Sequence, residues 1–227
     1  MAVGRFETQE YAIKIAERVL RVLGPRDAHA LHNDPQALAR WEQDGYKPYW
    51  AQPWPAAVML AEHVLTQLAG EPDPGPILEL GAGLGIVGLG LTQAGYRVVI
   101  SDYDPDALAF VRASADLNGL SILAACALDW RSPPSDCYKV MLASEVLYHR
   151  EHHRPLAALL ATRLLPGGTA WLSDTNREEA EPFPALVRSV WLTCDVVSAR
   201  ANEIPAYDAS DGRILDGRIF RITKPAT

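Results

Sequence analysis

The sequence predicts an α/β protein built on a mostly parallel sheet, and three observations predict it. Between Pro76 and Asp174 short apolar runs alternate with helical patterns, the signature of β-α-β units. A glycine turn, LELGAGLGIVG at Leu78–Gly88, joins the first of those runs to the first of those helices. The next run closes on an acidic residue, Asp102 in SDYDP, at the strand end where α/β sheets gather ligands.

In chain order, Ala12, Ile13, Ala16, Val19, Leu20 and Leu23 recur at helical spacing, so the N-terminal segment is expected to be an amphipathic helix closed by Gly24-Pro25. A second helix is expected near Pro35–Trp41. The aromatic, proline-rich approach YKPYWAQPWP then opens a long helix from about Ala56 to Ala69, and EPDPGP at Glu71–Pro76 is a loop. PILEL, RVVIS and SILAACAL follow as strands, with helices over IVGLGLTQAG and PDALAFVRASADLNG between them. KVMLA at Lys139–Ala143 and TAWLSD at Thr169–Asp174 supply two more buried strands, separated by a helix around Pro155–Leu164 that Pro166-Gly167-Gly168 stops. Trp191–Ala199 and Gly217–Thr223 also read as strands. The polar Asn202–Asp216 between them has no helical pattern, so the two are expected to pair antiparallel.

Composition bounds the setting. The 227 residues are 48% hydrophobic and 22% charged, enough for one sizeable core with an added segment. Three cysteines, Cys126, Cys137 and Cys194, are widely spaced without a metal-ligand pattern, which suits buried free thiols in a reducing compartment. No apolar run approaches the roughly 20 residues of a membrane span, and Arg5, Glu7 and Glu10 stand where a signal peptide needs an apolar stretch. The expectation is a cytoplasmic protein with no membrane partner. A net charge of −7 argues against a nucleic-acid partner, which normally needs a cationic face, and favours a basic or neutral substrate.

The glycine turn reads in two registers. From Gly83, GLGIVG satisfies the dinucleotide pattern G-x-G-x-x-G; from Glu79, ELGAGLG is an acidic residue followed by G-x-G-x-G. Glycines let a backbone approach a ligand closely, although such a turn also serves tight strand–helix packing alone. In the dinucleotide register the first glycine falls late and Glu79 has no role, whereas the other register puts Gly81 directly after the strand. Asp102 suits the two hydroxyls of a ribose in both registers and does not choose between them. Asp104, before Pro105, reads as a helix N-cap.

ELGAGLGIVG, SDYDP, LDW at Leu128–Trp130 and ASEVLYH at Ala143–His149 together resemble, in order and spacing, the motifs of class I S-adenosylmethionine-dependent methyltransferases. Within these the sequence is most similar to the seven-β-strand protein lysine methyltransferases, once labelled nicotinamide N-methyltransferase-like. PYWAQPWPAAVMLAEHVL also resembles the Y-W-A-x-x-W-P-G-G approach of electron-transfer-flavoprotein β-subunit lysine methyltransferases. The resemblance covers Pro48 to about Asp174. It implies a Rossmann-like fold whose mostly parallel seven-stranded sheet carries an antiparallel C-terminal strand. Residues 1–54 would form a helical extension covering the cofactor cleft, and 55–227 the methyltransferase domain.

The resemblance further implies S-adenosyl-L-methionine as cofactor. Gly81, Gly83 and Gly85 would lie beneath its methionine moiety and Glu79 would orient it. Asp102 would hold the ribose, Tyr103 the adenine edge, and Asp129 the adenine amino group. Trp130 would flank the base, Trp54 would close the methionine side, and Ser144 would complete the set. Ordinary core packing is the alternative for both tryptophans.

Glu145 and Tyr148 are the candidate catalytic residues. They follow the fourth strand as E-x-x-Y, where the resembling families read D-x-x-Y. Methyl transfer chiefly requires a positioned, desolvated neutral nucleophile, and a lysine amine, with an intrinsic pKa of ~10.4, must first lose a proton. Glu145 would anchor the ammonium and Tyr148 would surround the nitrogen; a helix cap is the alternative for Glu145. A protein lysine or other side-chain nitrogen is the expected acceptor, with a small nitrogen compound or a non-catalytic cofactor binder as the alternatives.

Other constellations are weaker. HREHHRP at His149–Pro155 lacks a metal-ligand order and reads as a solvated helix start. SPPS at Ser132–Ser135 departs from the motif of amino-methylating nucleic-acid enzymes in lacking an aromatic residue and in preceding the fourth strand. SDTNR at Ser173–Arg177 matches the G-D-P-x-R stretch of the flavoprotein-directed enzymes at Asp174 and Arg177 alone.

Overall fold

In the computed structural model residues 2–201 and 215–226 are described. Their centre is a seven-stranded sheet made of β4 (Ile77–Leu80), β5 (Val98–Asp102), β6 (Ala124–Ala127), β7 (Tyr138–Ser144), β8 (Leu164–Asp174), β9 (Thr193–Ala201) and β10 (Leu215–Thr223). The spatial order is β6-β5-β4-β7-β8-β10-β9, with β10 antiparallel to both of its neighbours and the pairs from β6 to β8 parallel. That is the expected Rossmann-like arrangement, its chain-terminal strand inserted in reverse. The order changes direction at β4, so the glycine turn leaving β4 and the loop leaving β7 open into one crevice.

Two layers of helices cover the sheet. On one face lie α2 (Pro55–Leu68), α3 (Ile86–Gln93) and α4 (Pro105–Leu117); on the other lie α5 (His153–Arg163) and α6 (Phe183–Ser189), the last with no counterpart in the sequence reading. Both faces of β4 are therefore buried, which is why ILEL is a continuous apolar run broken by one acid. Asp104 caps α4 as expected, its Oδ1 accepting from the Asp106 backbone N–H at 2.8 Å.

The N-terminus differs from expectation. Instead of a helix, residues 2–25 form a three-stranded antiparallel sheet of β1 (Ala2–Val3), β2 (Phe6–Ile15) and β3 (Arg18–Pro25). The helical pattern leans on Ala12, Ala16 and Val19, all of them exposed; the buried set is Ile13, Ile15, Leu20 and Val22, which alternates with period two. β-Branched side chains on a half-buried pleat decide the outcome. This hairpin does not cover the cleft. It packs on the outer side of α2, α3 and α4, where Ser114 Oγ accepts from Leu23 N at 2.9 Å. The helix of the first 54 residues is α1 (Pro35–Asp44), capped by Asp34 and ended by Gly45 at φ 73°. The segment after it, Gly45–Trp54, borders the cleft.

Three smaller expectations also shift. Pro166-Gly167-Gly168 does not stop α5, which ends at Arg163; it forms an irregularity inside β8, between Leu164 opposite Tyr138 and Thr169 opposite Val140. Of the cysteines Cys194 is buried, whereas Cys137 is exposed and Cys126 half-buried. The loop expected over Asn202–Asp216 falls largely outside the described residues. Among the described residues no helix is long and apolar enough to cross a membrane.

Gly88 in α3 allows the closest approach of helix to sheet. A Cβ there would stand 2.3 Å from Glu79 Oε2 and 2.6 Å from Ile100 Cγ1. Gly88→Ala is expected to destabilise the fold by about 1–3 kcal/mol, the usual penalty for overpacking; a urea midpoint equal to wild type would refute the contact.

Candidate active site

The crevice at the C-terminal ends of β4, β5 and β7 is lined by twelve or more side chains from five segments of chain, and most of the expected site residues meet there. Trp54, Gly81, Gly83, Asp102, Tyr103, Asp129, Trp130, Ser144, Glu145 and Tyr148 all line it. Glu79 and Gly85 do not: they lie behind the glycine turn and shape it from beneath.

The turn's form follows from its glycines. Gly81, Gly83 and Gly85 have φ of 61°, 56° and 76°, a region costly for any residue with a Cβ. A side chain on Gly81 would also press on Val146 and Trp130, and one on Gly85 on Val111. Glu79, 1% exposed, accepts from Gly88 N at 2.9 Å through Oε2, while Oε1 has no hydrogen-bond partner among the described residues. Burial pushes its carboxyl up to about 8, partly offset by the Gly88 bond. At neutral pH it is a carboxylic acid braced against α3.

Asp102 ties the turn to the neighbouring strand. Its Oδ2 accepts from Gly83 N at 2.7 Å and its Oδ1 from Asp104 N at 2.8 Å, and burial raises it to about 6. A carboxylate has about four acceptor sites, so these bonds do not exhaust the group, which lines the crevice. Asp104, besides capping α4, accepts from Tyr46 Oη at 2.7 Å and Arg40 Nη1 at 2.9 Å through Oδ2. This pins α1 and Tyr46 over the crevice; neither Tyr46 nor Arg40 stands out in the sequence, because a polar tie across 58 or 64 residues leaves no local pattern. Tyr46 packs edge-on against Tyr103 at 5.4 Å, and the Arg131 guanidinium lies 5.4 Å from the Tyr103 ring centre.

Asp129 is less free than its expected role requires. Arg131 Nε reaches both of its oxygens, at 2.8 and 3.0 Å, and that pairing holds the carboxyl below its usual range. Trp130 lines the crevice with its edge against His152, ring centres 5.9 Å apart. Trp54 donates from Nε1 to the Tyr49 carbonyl at 2.8 Å, which fixes its ring at the start of α2.

Glu145 is neither a helix cap nor an open carboxylate. It sits at φ 53°, 6% exposed, with Oε1 accepting from Thr175 N at 3.1 Å and Oε2 from Arg177 Nε at 2.7 Å. Tyr148 lies between Tyr49 and His149, ring centres 5.2 and 4.9 Å away, and burial raises its phenol. A second cavity adjoins the crevice here, lined by Tyr49, Trp54, Glu145, Tyr148, His149, Arg177 and Glu179. The histidines are not a solvated helix start: His149 and His152 line the crevice, with His149 Nε2 and His152 Nδ1 buried without a hydrogen-bond partner among the described residues, and His153 is 3% exposed with Nε2 3.1 Å from the Leu147 carbonyl. Burial, then His149, lowers His152.

These residues fit a nucleoside that carries an amino-acid tail. The three glycines leave a side-chain-free bed, Asp102 offers acceptor lone pairs for a diol, and Tyr103, Leu128 and Trp130 wall an apolar slot for a flat base. The orphaned ring nitrogens of His149 and His152 add polar atoms that a bound ligand would satisfy.

Comparison with known proteins agrees. Residues 32–182 match the family described as lysine methyltransferase. The chain is 31% identical over 117 residues to the human histone-arginine methyltransferase METTL23, covering 47% of this chain and 60% of that protein. It is 29% identical over 127 residues to the ribosomal protein L11 methyltransferase of Dechloromonas aromatica, covering 56% and 40%. The chain thus spans about half the length of these curated relatives. Among solved structures, the Thermus thermophilus 16S rRNA N2 G1207 methyltransferase RsmC, in complex with AdoMet and guanosine, shares the fold with a TM-score of 0.63 at 17% identity over 96% of this chain and 50% of that one. That neighbour acts on RNA, so the charge argument against a nucleic-acid partner gains no support. Nothing here singles out the electron-transfer-flavoprotein subgroup.

The raised acid at Glu79 has a measurable consequence. Its folded pKa of about 8 exceeds the reference 4.5, so the stability of the neutral acid is full below 4.5 and is lost as pH rises through 8. Glu79→Gln should therefore flatten the fall in unfolding free energy between those limits; parallel urea series with identical slopes for the two proteins would show that Glu79 is not buried as a neutral acid.

Proposed function

The chain belongs to the lysine methyltransferase family of S-adenosylmethionine-dependent enzymes, and from that membership we propose that it methylates a side-chain nitrogen of a protein, in the first place a lysine amine. The observation that carries the acceptor class is the second cavity. Its walls are three aromatic rings, Tyr49, Trp54 and Tyr148, with the carboxylates of Glu145 and Glu179 beside them, and it opens on the crevice that the glycine turn floors. Aromatic faces beside a carboxylate suit a basic side-chain nitrogen that reacts as a neutral amine, and Arg177 lines the same cavity. The relatives' names support a protein acceptor, since one is a histone and another a ribosomal protein methyltransferase.

S-adenosylmethionine, when bound, supplies an electrophilic methyl group on a cationic sulfur. Gly81 and Gly83 would give its amino-acid tail room, Asp102 would hold the ribose, Tyr103 and Trp130 would flank the base, and Trp54 with Ser144 would border the tail. Asp129 would act together with Arg131, as one paired unit at the base's edge. The chain's remaining task is to hold the acceptor nitrogen in line and exclude water from it. Tyr148, Tyr49 and Glu145, which line the second cavity together, would do this.

Radiolabelled S-adenosylmethionine incubated with the protein and a cell lysate, then resolved on a gel, tests this reading. A labelled protein band is expected; label confined to small molecules would point to a small nitrogen acceptor instead. S-adenosylhomocysteine should also raise the melting temperature, by roughly 2.7 kcal/mol of added stability at a hundredfold excess over its dissociation constant, and NAD should not.

Glu145→Gln keeps the shape and removes the charge. Turnover is expected to drop roughly 10²-fold with cofactor affinity little changed, and Tyr148→Phe to lose less because its ring survives. Loss of cofactor binding in step with activity would move Glu145 into the nucleoside site.

A further inference from the structure

Arg177 places a second cation where the acceptor's own charge would go. Its Nε donates to Glu145 Oε2 at 2.7 Å, its guanidinium carbon lies 5.8 Å from the Trp54 ring centre, and its side chain lines the acceptor cavity. The backbone beneath is fixed: Arg177 N donates to Asp174 Oδ1 at 2.9 Å, and its carbonyl accepts from Arg218 Nη2 at 2.7 Å. The carboxylate and the aromatic face that would bind an ammonium thus already hold a guanidinium.

The surrounding charges sharpen the point. Glu145 and Arg177 neutralise each other; Asp174, behind them and fully buried, is paired with Arg218, which also reaches Glu181. Tyr49, Tyr148 and His149 complete the wall, and Asp102 lies across the crevice from Tyr148. Glu179 is exposed at the rim, where water and salt screen it. Of the two carboxylates that line this cavity, Glu145 is therefore paired with a guanidinium and Glu179 is exposed.

On the reading that this cavity receives a side-chain amine, we propose that Arg177 sets the acceptor's protonation state: paired with Glu145, it refuses the ammonium and admits the neutral amine. The ammonium's N–H bond breaks in solvent, the proton passes to water, and the electron pair stays on nitrogen, which enters ready to attack. A neighbouring fixed cation and a desolvated pocket both favour the uncharged amine. Arg177 thereby replaces the ammonium-anchoring role first expected of Glu145.

Methylamine is the probe, titrated into protein saturated with S-adenosylhomocysteine and followed through the tyrosine and indole resonances. For the wild type the apparent affinity for total methylamine is expected to climb about tenfold per pH unit from pH 7.5 to 9, tracking the neutral fraction of an amine with a pKa of ~10.4. Arg177→Gln, which leaves Glu145 unpaired, should flatten that dependence and bind methylammonium at least about tenfold more tightly at pH 7.5, while Arg177→Lys keeps the wild-type profile. Adding Glu145→Gln to Arg177→Gln should remove the gain. A flat profile in the wild type overturns the role of Arg177 without requiring any variant to fold. A melting temperature indifferent to S-adenosylhomocysteine would instead overturn the cofactor reading beneath it.

Discussion

The Asp102 carboxylate holds the working end of this protein together. One oxygen accepts from Gly83 in the turn after β4, and the other accepts from Asp104 at the start of α4. Two adjacent parallel strands are thus clamped at their C-terminal ends, where a sheet alone would leave their loops independent. The clamp propagates, because Asp104, set in place by it, carries Tyr46 and Arg40 and so fixes the segment that walls the crevice. A carboxylate bonded by backbone N–H groups normally has a low pKa; here burial outweighs those bonds and the group is held up at about 6. The same carboxylate that clamps the two loops also lines the crevice.

Much of this was legible in the sequence, where local physics and the final structure agree. The alternation of ILEL, VVISD and YKVMLAS with the helices between them requires a parallel sheet covered on both faces, and the glycines at Gly81, Gly83 and Gly85 require a backbone no other residue adopts cheaply. Ten of the twelve expected site residues line the crevice because motif order along a β-α-β chain translates directly into position along one sheet edge. The N-terminus was misread for an equally local reason. In the stretch from Ala12 to Leu23 the periods 3.6 and 2 share Ile13 and Leu20, and only the burial of Ile15 and Val22 against the helical layer separates them. The pairings of Asp104 and Glu145 were illegible for a different reason. Tyr46 stands 58 residues from Asp104 and Arg177, though singled out by its motif, 32 from Glu145, and charge count alone does not say which acid is already neutralised.

The two ends of the crevice use acids in contrasting ways. At the glycine-turn end Asp102 and Glu79 are bonded by backbone amides and raised by burial. Beside the second cavity Glu145 and Asp174 face guanidinium groups instead. Arginine suits that place because its charge is permanent and its planar fork is pre-organised. A lysine there would itself be an amine inside a methyltransferase.

The segment that matches the family, residues 32–182, is narrower than what folds. It omits the hairpin, whose Ile15 Cδ1 rests within 2.7 Å of where a Cβ on Gly90 would stand, and it omits β9 and β10. Because β10 lies between β8 and β9, a chain cut at 182 would turn β8 from an interior strand into a bare edge, with the backbone groups of Thr169–Asp174 unpaired and Leu172 beside them uncovered. Such an edge is a template for strand addition by another molecule. The family match and the fold thus draw different borders on this molecule, and β10, outside the match, is the strand that keeps β8 interior.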